Sequence, residues 1–146
     1  MNRAIADAVV DETLSWLGTP YRHQGRRKGV GCDCVGLVLG VCNAVLGAMP
    51  ELPGPYAPDW AEAGGGERFL KAVRRHFPEK PAGDMAPGDL LLFRWRPHLP
   101  AKHAGIVVGQ DLFVHAYEGM AVSLSALAPQ WRKRIAGVFS FTKRNS

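Results

Sequence analysis

The stretch Gly31-Cys32-Asp33-Cys34-Val35-Gly36-Leu37 sets two thiols around a carboxylate just ahead of an apolar helical pattern. The nucleophilic form of cysteine is the thiolate, and a cysteine in the first turn of a helix sits at the positive end of its dipole, where the thiolate is favoured. A free thiol titrates near ~8.5, and such surroundings lower it by one to several units. Taken alone, Cys34 reads rather as a small buried hydrophobe, the commoner fate of an unpaired cysteine. Two histidines change that weighting. His103 opens the apolar run Ala104 to Val108, and His115 lies inside Phe113-Val114-His115-Ala116. A turn at Gly109-Gln110-Asp111 folds these runs back on each other and brings the two imidazoles to neighbouring positions. Nucleophile, base and a polar group that fixes the base's tautomer are the parts a cysteine hydrolase needs.

The elements that must position these groups are legible in the periodicity. Ile5, Ala8, Val9, Thr13, Trp16 and Leu17 give a helix over 4–17, stopped by Gly18-Thr19-Pro20. Residues 22–31 are polar and basic and read as an exposed loop. Asp33 then stands as N-cap before Cys34, Leu37, Val38, Val41, Val45 and Leu46, a second helix that ends at Gly47. The Pro- and Gly-rich span 48–66, with Tyr56 and Trp60, reads as a long loop, and Phe69, Leu70, Val73 and Phe77 as a short third helix closed by Pro78. From Pro87 onward the pattern turns to period two and short apolar runs. Leu90–Phe93, Ala104–Val108, Leu112–Tyr117, Val122–Leu124 and Ile135–Phe141 are the expected strands, joined by tight turns as an antiparallel meander. Helices first and strands afterwards mean an α+β fold, expected as one domain over 1–146.

Composition narrows the class. The 146 residues, 47% hydrophobic and 21% charged, suit one folded domain with a sizeable core. Three cysteines, an odd number, argue for reduced thiols rather than a disulfide framework. Asp7, Asp11 and Glu12 interrupt the N-terminal region before an apolar stretch forms, so no secretory signal is expected, and no 18-residue apolar run is present to span a membrane. A net charge of +5 favours polyanionic or carboxylate-rich partners. The basic groups Arg26-Arg27-Lys28, Arg74-Arg75 and Arg132-Lys133-Arg134 accompany no nucleic-acid motif, so nucleic acid is not expected as a partner.

Five blocks carry a resemblance: Gly18-Thr19-Pro20-Tyr21-Arg22, Gly31 to Leu37, Pro87-Gly88-Asp89-Leu90-Leu91-Leu92-Phe93, His103-Ala104-Gly105-Ile106 and Phe113-Val114-His115-Ala116. In this order they resemble the NlpC/P60 family, and in particular its branch associated with phage and gene-transfer-agent tails. The resemblance implies a papain-like α+β fold with the cysteine helix packed on an antiparallel sheet. It also implies hydrolysis of an amide in peptidoglycan stem peptides, often between D-glutamate and a diamino acid, without a cofactor. Matched residue by residue, Cys34 rather than Cys32 is the nucleophile, His103 the base and His115 the third polar residue. Tyr21 matches the tyrosine beside the nucleophile, which holds substrate or oxyanion, and Asp33 the aspartate that shapes the substrate pocket. Val35 stands where the family commonly has a serine that binds a free amine of the stem peptide, so that preference is open. Cys32 replaces an aromatic or apolar residue and reads as pocket wall, redox guard of Cys34 or the nucleophile itself.

With no export signal expected, the resemblance implies synthesis in the cytoplasm and delivery to the periplasm or wall by a phage-like particle, with tail proteins as partners. Two alternatives stand beside this: a structural or docking part of a tail tip, and a cytosolic peptidase recycling wall fragments. A third is a zinc site drawn from Cys32, Cys34, His98, His103 and His115, against which the short Cys-x-Cys step and the lack of a second Cys pair weigh.

Overall fold

The computed structural model describes residues 3–47 and 67–142. The expected long loop over 48–66, with Tyr56 and Trp60, lies outside the described residues. Helix α1 (Arg3–Leu14) ends three residues earlier than the periodicity suggests. Its C-terminal end tightens into i→i+3 bonds, Trp16 N–H to Thr13 C=O at 3.0 Å and Leu17 N–H to Leu14 C=O at 3.2 Å, before Gly18 turns the chain with φ of 87°.

The loop expected over 22–31 holds a small ribbon, β1 (Arg26–Arg27) antiparallel to β2 (Gly31–Cys32), too short to announce itself by alternation. Helix α2 (Cys34–Leu46) follows at once. It starts under the Asp33 cap and ends at Gly47, whose φ of 72° is the left-handed conformation glycine adopts without a Cβ clash. Val35, Leu37, Val38, Leu39, Val41 and Cys42 are all buried along it. A helix apolar on nearly every side is a core helix, and α2 is covered by α1 as well as by the sheet. Gly40 permits the α1 side of that packing: a Cβ there would meet the Trp16 ring at 2.2 Å.

Helix α3 (Arg68–His76) buries Phe69, Leu70, Ala72 and Val73. The sheet then comprises β3 (Glu79–Lys80), β4 (Leu90–Phe93), β5 (His103–Gly109), β6 (Leu112–His115), β7 (Ser123–Ala126) and β8 (Ile135–Phe139). Its order is β3-β8-β4-β5-β6-β7, with every pairing antiparallel. Strands β4 to β7 form the expected meander. The last strand departs from it: β8 returns past three strands to pair with β4, and β3 adds beyond it. The reason lies in Leu90-Leu91-Leu92-Phe93, where all four residues are fully buried. A strand apolar on both faces is a central strand, and it needs a hydrogen-bonding neighbour on each edge. Leu90 and Leu92 join α2 in the main core, while Leu91 and Phe93 face Phe113, Leu127 and Trp131 on the other side. Trp131 comes from α4 (Pro129–Arg132), a single turn not foreseen in the sequence. Strand β6 stops at His115, two residues early, because a turn closes at 117–120, where Met120 N–H donates to Tyr117 C=O at 2.9 Å.

Candidate active site

Asp33 builds the entrance of α2. Its Oδ1 accepts from Gly36 N–H at 2.8 Å, and its Oδ2 accepts from Gln24 N–H at 2.7 Å, with His23 Nδ1 at 3.8 Å. One buried carboxylate thus satisfies a free donor of the first turn and ties the 22–25 turn against it. Gly36 makes the approach possible, since a Cβ there would lie 1.7 Å from the Gly25 carbonyl oxygen.

Cys34, at the first helical position, is half-buried, whereas Cys32 and Cys42 are buried. Backbone N–H groups of Ala104, Val35 and Cys34 itself are directed at the sulfur. The Ala104 amide belongs to the residue after His103, so the helix entrance meets the start of β5. These donors and the helix dipole favour the thiolate, as the sequence suggested, but burial opposes them and wins. Burial first, and the Asp33 charge second, push the Cys34 thiol up to about 12. The resting nucleophile is therefore a thiol, which corrects the expectation of a lowered value. Tyr21 is bridged to Cys32 and half-buried. Burial, then the neighbouring Cys34 and Asp33, hold its hydroxyl protonated, up to about 12, so it stays a hydrogen-bond donor.

His103 and His115 stand diagonally on β5 and β6, with Nε2 of His103 2.8 Å from Nδ1 of His115. Nε2 of His115 is in turn 2.8 Å from Ser125 Oγ on β7. Burial, followed by the positive charges of His115 and Lys102, lowers His103 to about 3, and burial lowers His115 to about 4. Both imidazoles are neutral at pH 7. Neutrality fixes the protons along the row. If His103 keeps Nδ1 free to accept, its Nε2–H donates to His115 Nδ1, and His115 Nε2–H donates to Ser125. Aromatic rings enclose the base: Trp95 stacks on His103 at 5.6 Å between centroids, Phe93 lies at 5.8 Å, Tyr117 at 5.6 Å and Trp131 at 6.0 Å.

The structure thus gathers Tyr21, Asp33 and Cys34 at the helix entrance and His103 with His115 on the sheet, the two groups meeting at Ala104. Among the described residues no hydrogen bond joins the Cys34 sulfur to His103. Val35 is corrected in kind: its side chain is 4% exposed and belongs to the core, so only its backbone N–H reaches the site. Cys32 is fully buried within the main core, where a pocket wall would lie, whereas Cys34 is partly exposed. Among the described residues no three His, Cys, Asp or Glu side chains converge as metal ligands, and His98 is exposed on the β4–β5 loop. Sequence reading missed Ser125, Trp95, Tyr117 and Trp131. Trp95 lies two residues beyond Phe93, a period-two signal; nothing local marks the others.

Comparison with known proteins finds relatives in sequence and in fold. The model of the NlpC/P60 family matches residues 18–140. The gamma-DL-glutamyl hydrolase of Bacillus subtilis is 31% identical over 140 residues, covering 94% of this chain and 30% of that protein. The murein DD-endopeptidase MepS/murein LD-carboxypeptidase of Escherichia coli is 31% identical over 134 residues, 91% of this chain and 61% of that protein. The chain therefore spans less than two thirds of either relative. Among solved structures, the NlpC/p60 domain of the peptidoglycan hydrolase SagA superposes with a TM-score of 0.64 at 24% identity, over 92% of this chain and 97% of that one.

Proposed function

The chain belongs to the NlpC/P60 family, and from that premise we propose that it is a thiol hydrolase cutting an amide bond in peptidoglycan stem peptides, with Cys34 as nucleophile and His103 as base. The observation that carries the reading is the row His103–His115–Ser125, two contacts of 2.8 Å, which ends one residue from the amide directed at the Cys34 sulfur.

Chemistry follows from the protonation states. Thiol and imidazole rest neutral, so the proton moves as the sulfur attacks: Nδ1 of His103 takes it while Cys34 bonds to the amide carbon. The oxyanion gains the free backbone donors at the start of α2, with the Tyr21 hydroxyl beside them. The imidazolium formed on His103 is held by His115 through Nε2, then gives its proton to the departing amine. Water, deprotonated by His103, releases the acyl group from sulfur. Similarity to a gamma-DL-glutamyl hydrolase and to a murein DD-endopeptidase supports this substrate class.

The test is incubation with purified muropeptides, with and without iodoacetamide, reading new termini by mass spectrometry. Hydrolysis that iodoacetamide and Cys34→Ala both abolish is expected; full activity in Cys34→Ala overturns the assignment. Two finer readings rest on the sequence resemblance: the bond is the one between D-glutamate and the diamino acid, and the domain is carried to the wall by a phage-like tail. The new termini decide the first, and co-purification with tail proteins the second.

A further inference from the structure

The basic cluster Arg132-Lys133-Arg134 finds a place beside the candidate base. Arg94, Trp95, Arg96, Tyr117, Lys133 and Arg134 line a cavity of about 580 Å³. Two of its walls, Trp95 and Tyr117, are rings packed against His103, each 5.6 Å away. The walls are held in place. Arg94 is paired with Glu67 at 2.6 Å and donates to Leu99 C=O at 2.7 Å, and its own N–H donates to Arg134 C=O at 2.8 Å. The Arg134 guanidinium lies over Trp95 at 5.6 Å and over Trp131 at 5.8 Å, which holds it against the aromatic wall.

Charge here is one-sided. Glu67 is committed to Arg94, and among the described residues Arg96, Lys133 and Arg134 have no carboxylate partner within 4 Å. Arg134 Nε is a buried donor without an acceptor. At the α2 entrance the sign reverses, since the Asp33 carboxylate caps the helix there and acts on Tyr21. A substrate laid across the site therefore meets acid at the α2 entrance and base beyond His103. The sulfur takes the acyl half of the amide, so that half sits at the α2 entrance; the amine half lies toward the imidazole that protonates it.

We infer that this cavity is a subsite for a free carboxylate on the amine half of the substrate, with Arg134 and Lys133 as its recognising cations. The inference rests on the thiol-hydrolase reading above and adds a demand on the leaving group. A planar guanidinium edge matches a carboxylate in a paired geometry that an amide cannot satisfy.

The experiment uses two synthetic γ-D-glutamyl–diamino acid peptides that differ only in the leaving residue, which carries either a free α-carboxylate or a carboxamide. The expected preference for the carboxylate is about ten- to a hundredfold in kcat/KM. Arg134→Gln and Lys133→Ala shrink that ratio, mainly through KM, and a ratio read within each variant cancels general loss. Equal rates on the two peptides, or a ratio unchanged in Arg134→Gln, overturn the inference. Binding of the released diamino acid to Cys34→Ala separates the two readings. Arg134-dependent binding without hydrolysis of either peptide keeps the subsite and fails the hydrolase. Hydrolysis without Arg134-dependent binding does the reverse. A glycerol-phosphate polymer that binds Cys34→Ala through Arg134, where the diamino acid does not, assigns the cavity to a phosphodiester and overturns the proposal.

Discussion

The buried imidazole pair makes the fold acid-sensitive, by an amount that can be worked out. His103 is lowered from 6.5 to about 3 and His115 to about 4. A group whose folded value is depressed contributes stability above its unfolded value, here about 6.5, and loses it as pH falls toward the folded value. At pH 5 each unfolded imidazole gains about 2 kcal/mol from protonation that its folded counterpart does not, so the pair costs about 4 kcal/mol relative to pH 8. That is a large part of the ~5–15 kcal/mol that a domain of this kind holds. Urea unfolding between pH 8 and 5 measures it. Asp89, whose carboxyl is raised by burial although Lys80 lies at 2.8 Å, works in the opposite sense. His115→Asn isolates the histidine share, since asparagine can accept from His103 and donate to Ser125. The variant should lose about half of the pH dependence. A stability flat from pH 8 to 5, or an unchanged slope in His115→Asn, refutes the neutral buried pair.

Four other substitutions probe the site and its support. His115→Ala should lower kcat about 10- to 100-fold, less than loss of Cys34 or His103. Ser125→Ala should lower it by a smaller factor, and His115→Asn should recover part of the activity; steady-state kinetics on muropeptides reads all three. Asp33→Ala removes the cap and the Gln24 contact and should cost about 1–2 kcal/mol, seen as a lower Tm. Gly36→Ala places a methyl 1.7 Å from the Gly25 oxygen and should cost at least about 3 kcal/mol or prevent folding, measured by circular dichroism.

Periodicity and caps made most of the fold legible. Asp33 and Gly47 bracket α2 as read, because both act within a few residues of the helix they end. The meander was legible for the same reason, each turn lying between adjacent runs. The return of β8 was not, since pairing between residues more than forty positions apart leaves no local mark, although the uninterrupted Leu90–Phe93 run already required a partner on both edges. At the site, residue types exposed Cys34, His103 and His115. What spacing could not weigh was burial against the helix dipole, and that balance reversed the expected protonation of Cys34. Ser125 and Trp131 reach the histidines only through tertiary packing, and Lys133 and Arg134 appeared in the sequence as mere basicity.

Alkylation mapping tests the central claim most directly. The protein is titrated with iodoacetamide across pH 6 to 10, the label is located by mass spectrometry, and residual hydrolysis is followed in parallel. Activity should fall in proportion to label on Cys34 alone, with a rate that climbs about tenfold per pH unit, as a thiol held near 12 requires. Full hydrolysis by protein labelled at Cys34, or inactivation that tracks label on Cys32, would contradict it.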